Sequence, residues 1–154
     1  MKFLGYAEGS WFALPLRTSG FAVGVVARMM PRGRVLCVYL FGPRRDSIPR
    51  LDELKGYRSE QALKCWRIGD LGLINGAWTV IGKHSTWCRE LWPVPPFVRR
   101  SELATRAWRV TISDTNPNQV EREDPIPYDT NGMETYSLYG YGAVEIRLTK
   151  LLDP

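Results

Sequence analysis

Residues 74–85, INGAWTVIGKHS, contain the residue types of a phosphate-binding loop. Gly76 and Gly82 bracket an apolar run, and Lys83 and His84 follow. A Walker-type loop reads G-x-x-x-x-G-K-[ST], because its backbone N–H groups wrap the phosphates and its hydroxyl reaches the magnesium ion. Here five residues separate the glycines and a histidine follows the lysine. The spacing excludes that loop and predicts a turn, a strand between the glycines and a second turn.

His84 and the cysteines are the other candidates for chemistry. His84 is the only histidine, and Cys88 lies four positions after it, a spacing that on a helix supplies two zinc ligands. No second ligand pair accompanies them, since Cys37 and Cys65 are isolated. A Cys-His nucleophile pair needs only spatial proximity and stays open, although no catalytic motif surrounds any cysteine. We predict no enzyme, no metal, no cofactor and inert cysteines.

The polar segment 114–132 contains a second arrangement of metal-ligand types. Asp114, Asn116 and Asn118 have the spacing that opens a calcium loop. The EF-hand pattern then requires glycine at the sixth position and glutamate at the twelfth, where this chain has glutamine and proline. The segment therefore predicts a long acidic surface loop with Asx turns.

The bulk composition is that of one soluble globular domain. The chain has 154 residues, 44% hydrophobic and 24% charged, which is enough to build its own core. Three cysteines without a C-x-x-C motif argue against a disulfide framework and favour a reducing compartment. Neither a signal peptide nor a membrane-length apolar run is visible. We expect a single domain over 1–154 in the cytoplasm, with no membrane partner.

The net charge of +5 is unevenly distributed: +6 over residues 1–50, +3 over 51–100 and −4 over 101–154. The basic part is compatible with an acidic partner or nucleic acid, and equally with solvated loops that maintain solubility. Arginines concentrate in the N-terminal third near aromatic residues that are able to stack on bases. They are Arg28, Arg32, Arg34, Arg44, Arg45 and Arg50. No known module signature accompanies them, so nucleic-acid binding is an alternative function.

The pattern of apolar runs and turns predicts an α+β fold that is mainly β. Runs at 11–17 and 21–30, joined by Thr-Ser-Gly, predict a hairpin, and 34–41 predicts a third strand of the same meander. The runs are nearly continuous, so both faces should be covered. Further elements are a short helix after Pro49 with Leu51 and Leu54 inward, strands at 63–68, 77–81 and 107–113, an extended segment at 92–97, and a C-terminal helix within 143–152. Together they predict a strongly bent antiparallel sheet or a partly open SH3-like barrel with one to three short helices.

Two tryptophans with arginines around them suggest a protein interface. Trp87 and Trp92 lie close in sequence to several arginines, and Trp and Arg are the residue types that dominate binding hot spots. The alternative is that one or both tryptophans cap the core. The candidate partner-binding residues are Arg44, Arg45, Arg50, Trp87, Arg89, Trp92, Arg99 and Arg100.

Several short motifs, in their order along the chain, resemble the Immunity protein 26 family. They are GSWFALPL at 9–16, GFAVGVV at 20–26, INGAWTVIGK at 74–83, PPF at 95–97 and VEIRL at 144–148. The resemblance runs from about residue 9 to residue 150. Ser10, where the family more often has aspartate, and the acidic segment 114–132 depart from the pattern. The motif residues with structural roles are Pro15, Gly24, Gly76, Trp78 and Gly82, with Trp78 as a core anchor.

The resemblance implies an immunity protein of a bacterial polymorphic toxin or contact-dependent inhibition system. Such a protein binds its cognate toxin domain in the cytoplasm and blocks the active site or holds the toxin inactive. That function needs a rigid scaffold with displayed loops rather than a catalytic centre. The basic side then predicts an acidic toxin surface, whereas the acidic segment 114–132 would meet a basic cleft. A phosphotriesterase label sometimes accompanies the family name, so a small hydrolase is the least favoured alternative.

Overall fold

The structure, a computed structural model, describes residues 4–153. Within that range the chain forms ten strands and two α-helices. In chain order the strands are β1 (Ser10–Pro15), β2 (Phe21–Met29), β3 (Val35–Arg45), β4 (Lys64–Gly69), β5 (Thr79–Lys83), β6 (Phe97–Ser101), β7 (Arg106–Ile112), β8 (Val120–Ile126), β9 (Glu134–Thr135) and β10 (Leu138–Tyr139). The helices are α1 (Leu71–Ile74) and α2 (Tyr141–Leu152), and 3-10 turns lie at Leu51–Leu54, Ser59–Gln61 and Arg89–Leu91.

Six strands form the larger sheet, sheet A, in the order β10-β4-β3-β2-β1-β5. The neighbours from β4 to β5 are antiparallel, and the two-residue β10 adds in parallel to β4. The predicted β1–β2–β3 meander is confirmed. The apolar runs are continuous because both faces of sheet A are covered, and β2 has seven consecutive buried residues.

Four strands form the smaller sheet, sheet B, in the order β8-β7-β6-β9. The predicted strand at 107–113 is confirmed as β7. The prediction of a continuous loop over 114–132 is wrong for residues 120–126, which form the edge strand β8. This strand has no apolar alternation, and its Glu123 and Asp124 pair with Arg99 of β6 and Arg109 of the adjacent β7. Charged side chains of this kind are a common protection of sheet edges.

Sheet A is the middle of three layers. On one face, the helix face, Phe12 and Trp78 pack with Val144 and Leu148 of α2. On the opposite face, the sheet-B face, Trp11 belongs to the cluster that sheet B completes. Successive residues of a strand point to opposite faces, so the neighbours Trp11 and Phe12 contribute to different clusters.

The helices agree with the sequence patterns. The predicted C-terminal helix is confirmed as α2. The short helix expected after Pro49 is the 3-10 turn Leu51–Leu54, in which Leu54 is buried. None of the helices in residues 4–153 is long and apolar enough to cross a membrane. The predicted α+β, mainly β class is confirmed, and the described strands form two separate sheets rather than a closed barrel.

Trp78 lies in the centre of the helix-face cluster. Its side chain is 2% exposed and stacks on Phe12 with ring centroids 5.3 Å apart. The indole N–H donates to Glu145 Oε2 of α2 at 2.9 Å. Gly24 lies opposite Phe12 in β2, and a Cβ there would come within 2.6 Å of the Phe12 ring. The close approach of β1 and β2 therefore requires glycine at this position.

The remaining motif residues lie at or near strand ends. Pro15 is the last residue of β1, and Gly76 has φ +82° in the turn before β5, a conformation that favours glycine. Gly82 lies inside β5 and pairs with Trp11 where the β1–β5 register shifts, so the prediction of a second turn at Gly82 is wrong. That pairing brings the residues just after Gly82 to the sheet-B face beside Trp11.

Candidate functional site

A small cavity of about 130 Å³ opens on the sheet-B face. Its walls come from β1, from the segment that follows β3, and from the loop that joins β5 to β6. The lining residues are Trp11, Leu54, Lys55, Tyr57, His84, Thr86, Trp87, Cys88, Leu91 and Trp92. This cavity, the aromatic pocket, gathers three of the six tryptophans of the chain.

The rings of the aromatic pocket support one another. Trp92 packs edge-on against Trp11 at 5.8 Å, and Trp87 stacks on Trp92 at 5.9 Å. Tyr57 lies against Trp11 at 5.8 Å and against Phe41 at 4.8 Å. Trp92 is 7% exposed, so its ring belongs to the floor of the pocket. Mutually packed rings of this kind form a wall with little rotamer freedom.

The segment that precedes β1 holds the Trp87 ring in place. Its indole N–H donates to Glu8 Oε2 at 3.1 Å. A Cβ at Gly9, where φ is +90°, would come within 2.8 Å of the Trp87 ring. Arg89 binds the same Glu8 carboxylate at 3.1 Å. The indole is therefore held in place before any partner arrives.

His84 is one of the residues that line the aromatic pocket. Its Nε2 is buried and makes no hydrogen bond with any described group of the protein. The ring lies edge-on to Trp11 at 6.3 Å. Burial, and then the positive charge of Lys55, lower the pKa of His84 below its ordinary value near 6.5. The imidazole is therefore neutral at pH 7.

The structure does not support the Cys-His nucleophile pair that the sequence left as a possibility. The Cys88 thiol donates to Glu90 Oε2 at 3.2 Å rather than to His84. The other two thiols, Cys37 and Cys65, are buried with their sulfurs 3.6 Å apart. Burial raises the pKa of Cys65, which keeps it protonated and unreactive. Within residues 4–153, His, Cys, Asp and Glu side chains form no group suited to a metal ion.

An ion-pair network centred on the exposed Asp114 ties sheet B to the loop that joins β5 to β6, here called the pocket loop. Arg28 is 4% exposed and donates to Asp114 Oδ1 at 2.8 Å. Arg89 donates to the other carboxylate oxygen at 2.6 Å. The hydrogen bond from Arg28, together with the charges of Arg28 and Arg89, lowers the pKa of Asp114 despite partial burial. The β7–β8 loop, the pocket loop and β2 are therefore connected by one carboxylate.

Arg67 anchors the other sheet-B connections in the same manner. It is buried in β4, where its guanidinium donates to the carbonyls of Pro117 at 2.8 Å and Ser137 at 3.2 Å. It also lies over the Tyr136 ring at 4.4 Å. Arg28 and Arg67 are therefore structural arginines, and neither is exposed to a partner.

The structure places five of the eight candidate partner-binding residues in or beside the walls of the aromatic pocket. Trp87, Arg89 and Trp92 lie in the pocket loop. Arg45 donates to the Tyr57 hydroxyl at 2.8 Å, which places it behind the same rings. Arg50 begins the 3-10 turn that carries Leu54, and its side chain is 79% exposed with carboxylates of Asp52 and Glu53 at 3.6 Å.

The remaining three candidates lie apart from the pocket. Arg44 donates to Ser19 at 3.2 Å. Arg99 of β6 pairs with Glu123 at 2.8 Å and lies over Trp108 at 4.2 Å. Arg100, on the same strand, donates to the backbone carbonyls of Tyr128 and Thr130. Arg99 and Arg100 therefore hold sheet B and its loops together, whereas Arg44 links the end of β3 to the β1–β2 turn.

The N-terminal arginines do not form one basic surface. Arg32 and Arg34 are exposed at the turn between β2 and β3, whereas Arg44 and Arg45 lie at the far end of β3. Nine residues of β3, 35–43, separate the two groups. At about 3.3 Å per residue this distance is roughly 30 Å. These arginines therefore do not form the continuous basic patch that nucleic-acid binding requires.

A larger cavity of about 560 Å³, the α2 groove, opens beside the C-terminal helix. Its lining residues are Lys64, Trp66, Glu134, Tyr139, Ala143, Ile146, Arg147, Lys150 and Leu151. Its polar groups bind one another: Trp66 Nε1 donates to Glu134 at 2.9 Å, and Lys64 binds the same carboxylate at 3.0 Å. Arg147 lies over the Tyr139 ring at 4.5 Å.

Sequence reasoning missed that Trp11, Tyr57 and His84 share one pocket. They come from three segments that are far apart along the chain, and no spacing rule connects them. Trp11 was visible only as a strand residue, and His84 only as a lone histidine. The available signal was the strand predicted at 77–81, because the pairing of that strand with β1 brings His84 to Trp11.

Comparison with known proteins gives one match. A sequence model of the family described as Immunity protein 26 matches residues 7–109, which is about two thirds of the chain. The matched range contains every lining residue of the aromatic pocket and excludes α2. No curated protein and no solved structure matches the chain.

Proposed function

Because the chain belongs to the Immunity protein 26 family, we propose that it binds and neutralises a cognate bacterial toxin domain. Family membership is the observation that carries this proposal. The protein acts by stoichiometric binding in the cytoplasm and not by catalysis. The toxin belongs to a polymorphic toxin or contact-dependent inhibition system.

The surface around the aromatic pocket is the contact face in this proposal. It presents Trp87, Arg89 and Arg50, which are of the types that dominate interface hot spots. The contacts of Trp87 and Arg89 with Glu8 hold them in one geometry. A surface ordered in advance loses less conformational entropy on binding, so more of the contact energy appears as affinity.

Charge supports a basic rather than an acidic contact face. Of the twelve salt bridges among residues 4–153, six join a cation of the first hundred residues to a carboxylate of the remainder. In β8, Glu123 and Asp124 are already paired with arginines of β6 and β7. Lys55, by contrast, is exposed at the rim of the pocket. An acidic toxin surface is the better complement.

We treat the whole chain, 1–154, as one immunity domain. The support is that α2, outside the matched range, covers the helix face and supplies Glu145 to Trp78. Sheet B likewise completes the cluster around Trp11. A chain ending at residue 109 should not fold, and a native-like circular dichroism spectrum with cooperative unfolding for that fragment would contradict the single-domain proposal.

The direct test uses the toxin domain encoded beside the gene. We expect isothermal titration calorimetry to give a one-to-one complex with a Kd on the order of nanomolar or tighter. An equimolar amount of this protein should abolish the activity of the toxin. No association at micromolar concentration would contradict the proposal. Binding of random oligonucleotides that weakens with salt would instead support nucleic-acid recognition.

A further inference from the structure

The α2 groove has the size and the apolar surface of a site for a small organic ligand. Its volume of about 560 Å³ lies within the roughly 300–1,000 Å³ that such sites occupy. Trp66 of β4 and Tyr139 of β10, with ring centroids 5.1 Å apart, give one wall an aromatic surface. Ile146 and Leu151 of α2 line the groove and are 43% and 46% exposed. The groove therefore offers apolar contact to a guest with an aromatic ring.

The groove also carries an excess of positive charge. Lys64 and Glu134 lie 3.0 Å apart and cancel each other. The two cations that α2 contributes, Arg147 and Lys150, are exposed and form no ion pair with a carboxylate within residues 4–153. They are three positions apart on one helix, so their side chains are neighbours on its surface. The groove is therefore suited to an anion.

The carboxylates on and beside α2 do not neutralise these two cations. Glu145 pairs with Arg17 at 3.0 Å and also accepts the indole N–H of Trp78. Asp153, just after the helix, lies 3.9 Å from the guanidinium of Arg44. The charge of Arg147 and Lys150 therefore remains available to a ligand.

Arg147 is oriented by an aromatic ring and not by an oxygen atom. Its guanidinium lies over the Tyr139 ring at 4.5 Å. Three other arginines in the described part of the chain lie over aromatic rings, and each also donates a hydrogen bond to an oxygen: Arg45, Arg67 and Arg99. Arg147 donates to no acceptor among the described groups. Its fork of N–H donors matches a carboxylate or a phosphate and is unused within the fold.

Neutral and cationic guests fit the α2 groove less well. A cation would be repelled by Arg147 and Lys150, and the Glu134 carboxylate is already bound by Lys64 and by Trp66 Nε1. A neutral guest would cover the two free cations without giving them a partner, which costs desolvation free energy. An anion without a ring would leave the aromatic wall uncovered. A single ligand that combines a ring with an oxyanion satisfies both parts of the groove.

We propose that the α2 groove binds a small aromatic anion, an aryl carboxylate or an aryl phosphate. Its ring packs against Trp66 and Tyr139. Its oxyanion binds Arg147 bidentately and Lys150 as a second cation. The assignment goes beyond the proposed function and does not depend on it, because the α2 groove shares no lining residue with the aromatic pocket.

The first experiment compares probes that share one ring. The full chain, labelled with ¹⁵N, is titrated separately with phenylacetate, phenyl phosphate and the neutral phenylacetamide. We expect saturable shifts of amide signals in residues 64–66 and 139–151. At least one anion should bind about fivefold or more tightly than the amide, because charge-assisted hydrogen bonds are the stronger ones. Added salt should reduce that ratio.

The result identifies the anionic group and is able to overturn the assignment. The tighter of the two anions shows whether the groove takes a carboxylate or a phosphate. Absence of saturable shifts in 64–66 and 139–151 at millimolar concentration would overturn the assignment. An amide that binds as tightly as both anions would overturn it equally.

Two double variants with the same change of charge sharpen this titration. Arg147→Met combined with Lys150→Met should reduce the ratio of anion to amide affinity to about one, since it keeps apolar side chains and removes both cations. Arg32→Met combined with Arg34→Met, at the exposed β2–β3 turn, is the control and should leave the ratio unchanged. An equal fall in the control would show attraction by net charge alone and would contradict the site. Circular dichroism verifies that both variants are folded.

A further probe separates a small ligand from a polypeptide segment. The acetylated and amidated dipeptide Phe-Glu carries the same ring and a carboxylate on a peptide backbone. We expect it to bind more weakly than phenylacetate, and tighter binding would overturn the assignment in favour of an acidic polypeptide. Anion binding without any toxin complex would leave the assignment intact while the proposed function fails. A toxin complex without anion binding would do the reverse.

Discussion

The two faces of sheet A differ in how their buried polar groups are satisfied. On the helix face, the indole N–H groups of Trp66 and Trp78 donate to Glu134 and Glu145 at 2.9 Å. On the sheet-B face, His84 Nε2 lies buried beside the aromatic pocket without a partner among the described residues. Buried polar groups without partners are costly and concentrate where function uses them. The helix face therefore builds the fold, and the sheet-B face carries the contact surface that we propose.

The largest expected difference is in stability. Trp78→Ala should lower the free energy of unfolding by about 3–5 kcal/mol, because it leaves a cavity and removes the hydrogen-bond donor of Glu145 Oε2. Trp87→Ala should cost only about 1–2 kcal/mol, since that ring is half-exposed at the pocket. Urea denaturation measures both. Trp78→Phe, which keeps a ring but loses the N–H, serves as the milder variant, with a loss of about 1–3 kcal/mol. Equal losses for Trp78→Ala and Trp87→Ala would remove the distinction between the faces.

For toxin affinity we expect the opposite order, with the larger effect from a substitution on the sheet-B face and the smaller effect from one on the helix face. Trp87→Ala is expected to weaken the complex by about 2 kcal/mol, or roughly 30-fold, as for a central hot-spot residue. Arg147→Ala, on the helix face, should change affinity by less than about twofold. Calorimetry on chains shown to be folded separates this effect from stability. Greater weakening by Arg147→Ala would place the interface at the α2 groove.

Asp114 should make stability depend on acid pH. Its pKa is lowered in the fold, so its contribution is fully present above the unfolded pKa near 3.9 and is lost as pH falls through the folded value. Asp114→Asn should cost about 1.5 kcal/mol at pH 7, because Arg28 loses its carboxylate. In denaturation curves, the difference in unfolding free energy between this variant and the natural chain should shrink below pH 3. A difference that persists unchanged in acid would show that the carboxylate charge is not responsible.

The smallest predicted effect is the titration of His84. Its lowered pKa means that the neutral form is favoured in the fold, so stability from this group is present above about pH 6.5 and is lost as pH falls. Lys55→Met should raise the pKa of His84, because it removes the positive charge that helps to lower it. An NMR titration of the imidazole measures the shift. An unchanged pKa would leave burial as the only cause.

Much of the fold follows from the sequence, because the strands of sheet A have strong apolar patterns. The β1–β2–β3 meander and α2 are visible from apolar periodicity and turn residues alone. β8 is not, because its residues are charged and obtain their strand conformation from pairing with β7. The two-residue β9 and β10 are too short to leave a pattern.

The candidate site follows from the sequence only in part. Trp87, Arg89 and Trp92 are recognisable as interface residue types because they lie close together along the chain. The sequence does not distinguish Arg28 and Arg67 from the exposed arginines. Only the fold shows that both are buried and hydrogen-bonded to oxygen atoms. Side-chain convergence depends on strand register, which local sequence does not encode.

Hydrogen–deuterium exchange of the chain with the neighbouring toxin domain tests the central claim most directly. The account predicts slower amide exchange on complex formation in residues 50–57 and 84–92, around the aromatic pocket, with residues 141–152 of α2 unchanged. Protection confined to 141–152 and the α2 groove, with no change at 84–92, would contradict it.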